Sequence, residues 1–323
     1  MQEKLNSKGY FNYMTEGSSS SLYRNSKVLT RRDLNGSDAG SEGIDLKKYE
    51  QLVINARDLS SDKKISLDRN GFELISSNLD NFEINFFNNN QVLHKYYNYC
   101  ANEIKDFTGA DKVFAFDHNI RSASGKKTKK MIDGGQQVQG PAHIVHGDYT
   151  LTSAPERLKQ LSYPPGKNDT LNKILGADSL LSTELVKETL LNGRFAIINL
   201  WRNIVIDPVE VNPLALCDAQ TVTAEDLVVF EIHYSDRIGE NYFAKHNSKH
   251  KWYYYPHMTM GEALLIKQWD SRGGLAKSSG KFSDSLSKVD TCTFSFHSAF
   301  NDSNTRLDAP DRWSMEVRCI VIY

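Results

Sequence analysis

Short apolar runs separated by polar breaks recur along this chain, and their periodicity changes from place to place. Gln51–Arg57 and Ile65–Leu74 come first, with a turn-like Asp68-Arg-Asn-Gly71 inside the second. After a polar break at Asn88-Asn-Asn90, Leu93, Tyr96, Tyr97, Cys100, Ile104 and Phe107 recur at three- and four-residue steps and stop before Gly109. That spacing predicts an amphipathic helix closed by a glycine, its aromatics serving as core packing. Lys112-Val-Phe-Ala-Phe116 predicts a strand. Ser153-Ala-Pro-Glu156 predicts a helix start, with Ser153 as cap and a proline in the first turn, and Ser182–Asn192, ended by Gly193, predicts a second short helix. Arg194–Arg202 and Leu227–Tyr234 read as apolar strands, and Trp252-Tyr-Tyr-Tyr255 is strand-compatible. Thr259-Met-Gly-Glu262 has the form of a capping box and predicts a helix through about Trp269. Thr291–Phe296 alternates polar and aromatic residues, and Met315–Ile322 closes the series as a further strand.

Between these runs, about Gly17 to Gly43 is rich in Ser, Gly, Asn and Asp and predicts a long polar loop or wrapping arm. Gly273-Gly274 and the Ser/Lys/Gly tract to about Ser287 predict a flexible loop, and Lys126-Lys-Thr-Lys-Lys130 a solvated one. Short strands recur from about residue 112 onward, with helices concentrated toward the middle. The pattern suits a mainly β chain with flanking helices, a β-sandwich or jelly roll in one domain. Its expected parts are a polar N-terminal arm over 1–45, cap elements over 46–111, and a jelly-roll core with helical insertions over 112–323.

Composition narrows the function classes. The chain has 323 residues, enough for a large core, and 24% charged against 39% hydrophobic residues suits a soluble protein. A formal net charge of -1 gives no reason to expect nucleic acid or an anionic membrane as partner. Apolar runs fall short of a membrane span, and the opening Met1-Gln-Glu-Lys-Leu-Asn has no signal-peptide hydrophobic region, so a cytoplasmic location is expected. Cys100, Cys217, Cys292 and Cys319 are far apart and form no Cys-x-x-Cys pair; they read as reduced, mostly buried thiols.

The candidate chemistry starts at His143-Ile-Val-His-Gly-Asp-Tyr-Thr150. On a strand, His146 and Asp148 project to one side while Gly147 leaves the other bare. An imidazole and a carboxylate side by side are two thirds of a facial triad for non-haem Fe(II). Gly140-Pro141 before and Gly147 after argue against a helical pair of His143 and His146. Phe294-Ser-Phe-His-Ser-Ala-Phe300 offers the third ligand, His297, behind an alternating strand. Arg312-Trp-Ser314 then places a guanidinium and a hydroxyl on one side of the next strand, a fork suited to a carboxylate such as the distal one of 2-oxoglutarate. By alternation Arg318 shares that face and is the rival anchor, or else pairs with Glu316. Asn199, in an apolar strand, needs a partner. His233, His246, His250 and His257 lack ligand spacing relative to the triad.

These features resemble Fe(II)/2-oxoglutarate-dependent oxygenases, and more specifically the AsaB-like hydroxylase/desaturase family. The matching stretches include Leu67-Asp-Arg-Asn-Gly-Phe-Glu-Leu74, Phe116-Asp-His-Asn-Ile-Arg121, Val145-His-Gly-Asp-Tyr-Thr150 and Ile198-Asn-Leu-Trp-Arg202. They continue with Pro213-Leu-Ala-Leu-Cys-Asp218, Lys267-Gln-Trp-Asp-Ser271, Phe296-His-Ser-Ala-Phe300 and Arg312-Trp-Ser-Met-Glu-Val-Arg318. The family is also similar to the small component of cephamycin 7-alpha-hydroxylase and to algal kainoid synthases.

The resemblance implies a double-stranded β-helix (jelly roll, cupin-like). It implies Fe(II), 2-oxoglutarate and O2 as cofactor and co-substrates, and secondary metabolism as the setting. It supports His146, Asp148 and His297 as iron ligands and Arg312 with Ser314 as the co-substrate anchor. Asn199 and Arg202 are expected to line the co-substrate end of the barrel, and Arg121, Tyr149, Arg157 and Arg202 are candidate substrate contacts. Cations at the mouth would suit a carboxylated, amino-acid-derived substrate. Hydroxylation, desaturation and oxidative ring closure all follow from such chemistry, with kainoid-type cyclisation of an N-prenylated glutamate the specific expectation. A non-catalytic ligand-binding or partner subunit on the same fold is the alternative, and a homodimer is a further expectation. The lysine-rich loop before Gly134 and the Lys277–Ser287 tract are longer than the family's pattern and are candidate substrate lids.

Overall fold

A computed structural model describes residues 6–32, 38–60, 63–80, 82–234, 237–286 and 291–323. In chain order the strands among them are β1 Ser7–Met14, β2 Leu29–Arg32, β3 Asp38–Glu42, β4 Leu46–Asn55, β5 Phe72–Ser76, β6 Lys112–Arg121, β7 His146–Gly147 and β8 Phe195–Asn203. There follow β9 Leu214–Cys217, β10 Leu227–His233, β11 Ile238–Ala244, β12 Trp252–Tyr254, β13 Glu262–Asp270, β14 His297–Ala299 and β15 Ser314–Ile322. The larger sheet runs β1-β4-β12-β9-β14-β7-β11-β10-β2-β3 and the smaller β5-β13-β8-β15-β6. Mostly antiparallel neighbours drawn from distant parts of the chain give the cupin-like jelly roll, with helices outside it.

The smaller sheet shows how alternation positions the site. β8 and β15 are buried along their whole length, and β13 beyond its first residue. On β15, Met315, Val317 and Cys319 join the apolar core with the helix Tyr97–Thr108. The intervening Ser314, Glu316 and Arg318 therefore turn to the other face, where the chemistry lies. That helix follows a π-helical turn, Val92–Tyr96, and ends at Gly109, whose φ of 66° is the left-handed conformation a helix-closing glycine supplies.

Several elements differ from the sequence reading. The run after Thr259 is β13, not a helix. Thr259 N–H does donate to the Glu262 carboxylate at 3.0 Å, as a capping box would, but the bond closes a turn. The apolar run beyond it is buried on both faces between β5 and β8, and sheet pairing overrides the local helix signal. The stretch 17–43 holds β2 and β3, and Ser7–Met14, within the supposed arm, is a sheet strand burying Phe11, Tyr13 and Met14. Met1–Leu5 and residues 33–37 of that arm lie outside the described residues, as does Ser287. Thr152, not Ser153, takes the cap position of the helix Ser153–Gln160. Thr291–Phe296 is buried without being a strand. The tract after Gly273 holds a short helix, Gly274–Lys277, and Asp284 there accepts from Thr293 N and Oγ1 at 2.7 and 2.9 Å. All four cysteines are free and buried. Among the described residues, no helix is long and apolar enough to cross a membrane.

Candidate metal centre

β7 and β14 are neighbours in the larger sheet, and His146 and His297 are direct partners across them. Their rings stand 4.4 Å apart between centroids. Asp148 follows β7 on the same side, its Oδ1 3.7 Å from His146 Nε2 and 3.9 Å from His297 Nε2. The three ligand atoms all lie within 4.8 Å of one another, close enough to hold a metal ion. Gly147, between His146 and Asp148, packs closely on the other side: a Cβ there would stand 2.9 Å from the Phe294 ring.

Electrostatics suits the donor set to a divalent ion. His146 Nδ1–H donates to the Ile144 carbonyl at 2.7 Å, which leaves the Nε2 lone pair facing Asp148. Burial, and then the adjacent His297, push the His146 pKa down to about 4, so the imidazole is neutral, as a metal ligand must be. Burial alone would raise the Asp148 pKa. The Arg318 guanidinium, both imidazoles and a hydrogen bond from Asn199 outweigh that and hold the carboxyl well below its usual range. Two imidazole nitrogens and one anionic oxygen on a rigid sheet fit a ferrous ion with positions left for other ligands.

Both histidines line a narrow cavity with Arg312, Arg121 and Glu316, walled by Trp201, Leu214, Ala142 and Ala299. A roomier hollow between Thr15–Val28 and Gly43–Asp45 is remote from this chemistry and lined mainly by small polar residues. Arg312 is 2% exposed, donates through Nη1 to the Asn212 carbonyl, and lies 5.7 Å from the Trp201 ring centroid. Its Nε and the Oγ of Ser314 are buried with no partner among the described residues. Burial, then the neighbouring Arg121 charge, push the Arg312 pKa down to about 9, the signature of a cation short of anionic compensation. An unpaired guanidinium nitrogen, with an unpaired hydroxyl two residues along the chain, offers donors that a carboxylate would satisfy.

Arg318 is differently placed. Each of its nitrogens has an acid: Nε donates to Asp148 at 3.3 Å, Nη1 to Asp117 at 3.0 Å and Nη2 to Glu316 at 2.8 Å. The pairing with Glu316 read from the sequence is therefore present, and Asp117 and Asp148 extend it. Asn199 Nδ2 donates to Asp148 Oδ2 at 3.2 Å. Arg121 donates to the Gly140 carbonyl at 3.0 Å and stands 3.6 Å from Glu316. Tyr149, beside Asp148, is partly buried, and burial raises its pKa.

The other two arginines are held apart from the cavity. Arg157 pairs with Asp169 at 3.3 Å and covers Phe116 at 5.0 Å. Arg202, one position along β8 from Trp201, turns to the opposite face. There it donates to the Ser77 and Met260 carbonyls, both at 2.7 Å, between Tyr96 and Tyr99. Its expected place at the co-substrate end is not where the strand's alternation puts it.

Sequence reasoning missed Gln268, whose Oε1 accepts from Asp148 N at 3.3 Å, and Asp117. Asp117 had a signal: Asp117, Asn119 and Arg121 alternate on β6 opposite Arg318, Glu316 and Ser314. Gln268 had none, because it lies at a β-bulge between Lys267 and Trp269.

A family profile described as "Oxidoreductase/YMDC permease-like domain" matches residues 10–322. The chain is 28% identical over 303 residues to the hydroxylase/desaturase efuI of Hormonema carpetanum, covering 88% of each protein. It is 29% identical over 285 residues to the alpha-ketoglutarate-dependent dioxygenase tstK of Talaromyces stipitatus, covering 86% of this chain and 87% of that one. In fold it is similar to the iron and alpha-ketoglutarate-dependent endoperoxidase NvfI, with a TM-score of 0.69, 21% identity and 97% of each chain covered. With the profile spanning nearly its whole length, this chain belongs to that oxidoreductase family and is an Fe(II)/2-oxoglutarate-dependent dioxygenase.

Proposed function

We propose that His146, Asp148 and His297 hold the ferrous ion, and that Arg312, with Ser314, holds the distal carboxylate of 2-oxoglutarate. The observation that carries this reading is Arg312: a buried guanidinium lining the cavity that both histidines line, its Nε without a partner among the described residues, with the equally unpartnered Oγ of Ser314 two residues along the chain. Ferrous iron, when bound with 2-oxoglutarate and O2, supplies the oxidising power to remove hydrogen from a C–H bond, with succinate and CO2 as co-products. The chain's own part is orientation and exclusion of water. His146 is fixed in one tautomer, Asp148 is kept ionised, and Trp201 and Leu214 keep the cavity wall dry.

The substrate in this reading is a small organic molecule of secondary metabolism, and the outcome is hydroxylation, desaturation or ring closure. Of the cations expected to greet a substrate carboxylate, Arg121 lines the cavity, while Arg157 and Arg202 have partners elsewhere. A carboxylated substrate, the N-prenylated glutamate of a kainoid-type cyclisation included, would thus be met at Arg121. Cytoplasmic work on a free metabolite completes the proposal.

Purified protein given Fe(II), 2-oxoglutarate, O2 and candidate substrates should release succinate in an oxygen-dependent way. Wild-type protein that binds Fe(II) and 2-oxoglutarate without ever turning the keto acid over would favour the non-catalytic alternative.

A further inference from the structure

We infer that Asn199 and Arg318 are positioning residues for Asp148: they hold one carboxylate oxygen, so that only the other is offered to a metal. This deepens, and rests on, the reading of Asp148 as an iron ligand. Asn199 on β8 and Arg318 on β15 are direct partners in the smaller sheet, so their side chains leave the same face side by side. Both converge on one atom. Asn199 Nδ2 and Arg318 Nε donate to Asp148 Oδ2 at 3.2 and 3.3 Å, while Oδ1 is the oxygen facing both imidazoles.

A carboxylate can bind a metal through one oxygen or both, and it rotates freely unless restrained. Two donors on Oδ2 fix that rotation and occupy the lone pairs a second metal bond would need. Chelation through both oxygens would fill a position that co-substrate or O2 requires. The donors are themselves held. Asn199 is fully buried, and Arg318 is braced by Glu316 and by Asp117, which in turn accepts from Thr170 Oγ1 at 2.5 Å. Asp148 N–H, bonded to Gln268 Oε1, steadies the backbone below. With an acid on each of its nitrogens, Arg318 is committed to Asp148 and its neighbours and has no fork left for the keto acid.

The test uses Co(II) as the probe, in the absence of 2-oxoglutarate. Asn199→Ala should bind Co(II) about 10- to 100-fold more weakly than wild type, the usual cost of losing a group that orients a metal ligand. Its visible ligand-field spectrum should also change in shape and intensity, which a purely structural role would not produce. Arg318→Lys should do the same, and if it fails to fold, Asn199→Ala decides alone, its melting temperature checked in parallel. Wild-type Co(II) affinity and an unaltered spectrum in Asn199→Ala would overturn the inference. So would a loss confined to 2-oxoglutarate affinity, read in a separate titration of the keto acid. Wild-type protein that takes up neither Co(II) nor Fe(II) would instead sink the metal-centre reading beneath it, so the two failures are distinguishable.

Discussion

His146 and His297 face one another across β7 and β14 with ring centroids 4.4 Å apart, although more than a hundred residues of chain separate them. The sheet, not any local motif, brings the imidazoles together, and Asp148 joins them because it lies two residues along the chain from His146. Replacing any one of the three with alanine should lower iron content and keto-acid turnover together. The expected loss in metal affinity exceeds the roughly 100-fold that removal of an indirect supporting group can cause. Metal analysis after dialysis checks this.

Arg312→Met should weaken 2-oxoglutarate binding by about 10- to 100-fold, the range for losing a charge-assisted hydrogen-bonded pair. Metal affinity should stay near wild type, since Arg312 touches none of the three ligands. Titrating the keto acid anaerobically into the Fe(II) protein and following the visible absorption of the chelate separates the two quantities. Equal losses in both would assign Arg312 a structural role.

Stability should fall on mild acidification. His118 is buried on β6 with Nδ1 2.8 Å from Tyr97 Oη, and burial lowers its pKa from 6.5 to about 4. The folded protein therefore keeps this imidazole neutral while the unfolded chain takes up a proton below its ordinary pKa. Its contribution is complete above pH 6.5 and is lost as pH falls toward 4. At full effect it amounts to about 3 kcal/mol. Urea unfolding at pH 7, 6 and 5 should show the decline, and His118→Gln should remove only part of it, because the buried His146 acts in the same direction.

Gly147→Ala would drive a methyl group into the Phe294 ring, 2.9 Å away. A cost of about 1 to 3 kcal/mol is expected, as for other overpacked sites, with weaker metal binding because the clash lies between two of the proposed ligands. Phe294→Leu in the same chain should recover part of both. Denaturant unfolding alongside Co(II) titration measures it, and an unperturbed Gly147→Ala would show that the ring moves aside freely.

Much of this was legible in the residues. The spacing of His146 and Asp148 names a shared side-chain direction, whereas the alternation before His297 imitated a strand that begins only at His297, and Arg312 lies just ahead of β15. The helix before Gly109 was legible from its periodicity. β13 was not, because a run buried on both faces has no polar side to betray its period, and Thr259–Glu262 imitated a helix start. Nor could the sequence choose between Arg312 and Arg318. That choice turns on which acids the folded sheets bring near: Asp117, Asp148 and Glu316 gather at Arg318, while Arg312 is left beside Arg121.

β7 has two residues and β14 three, and strands that short have little pairing energy of their own. They are held from outside: Asn12 on β1 receives Val145 N–H on its carbonyl and donates through Nδ2 to the His143 carbonyl, while β11 and β9 close the flanks. A nascent or half-folded chain therefore carries these imidazoles and the carboxylate only as scattered, feeble donors. With these three as the proposed ligands, iron capture belongs to the finished molecule, and protein folded without the ion is expected to take it up when the ion is supplied afterwards.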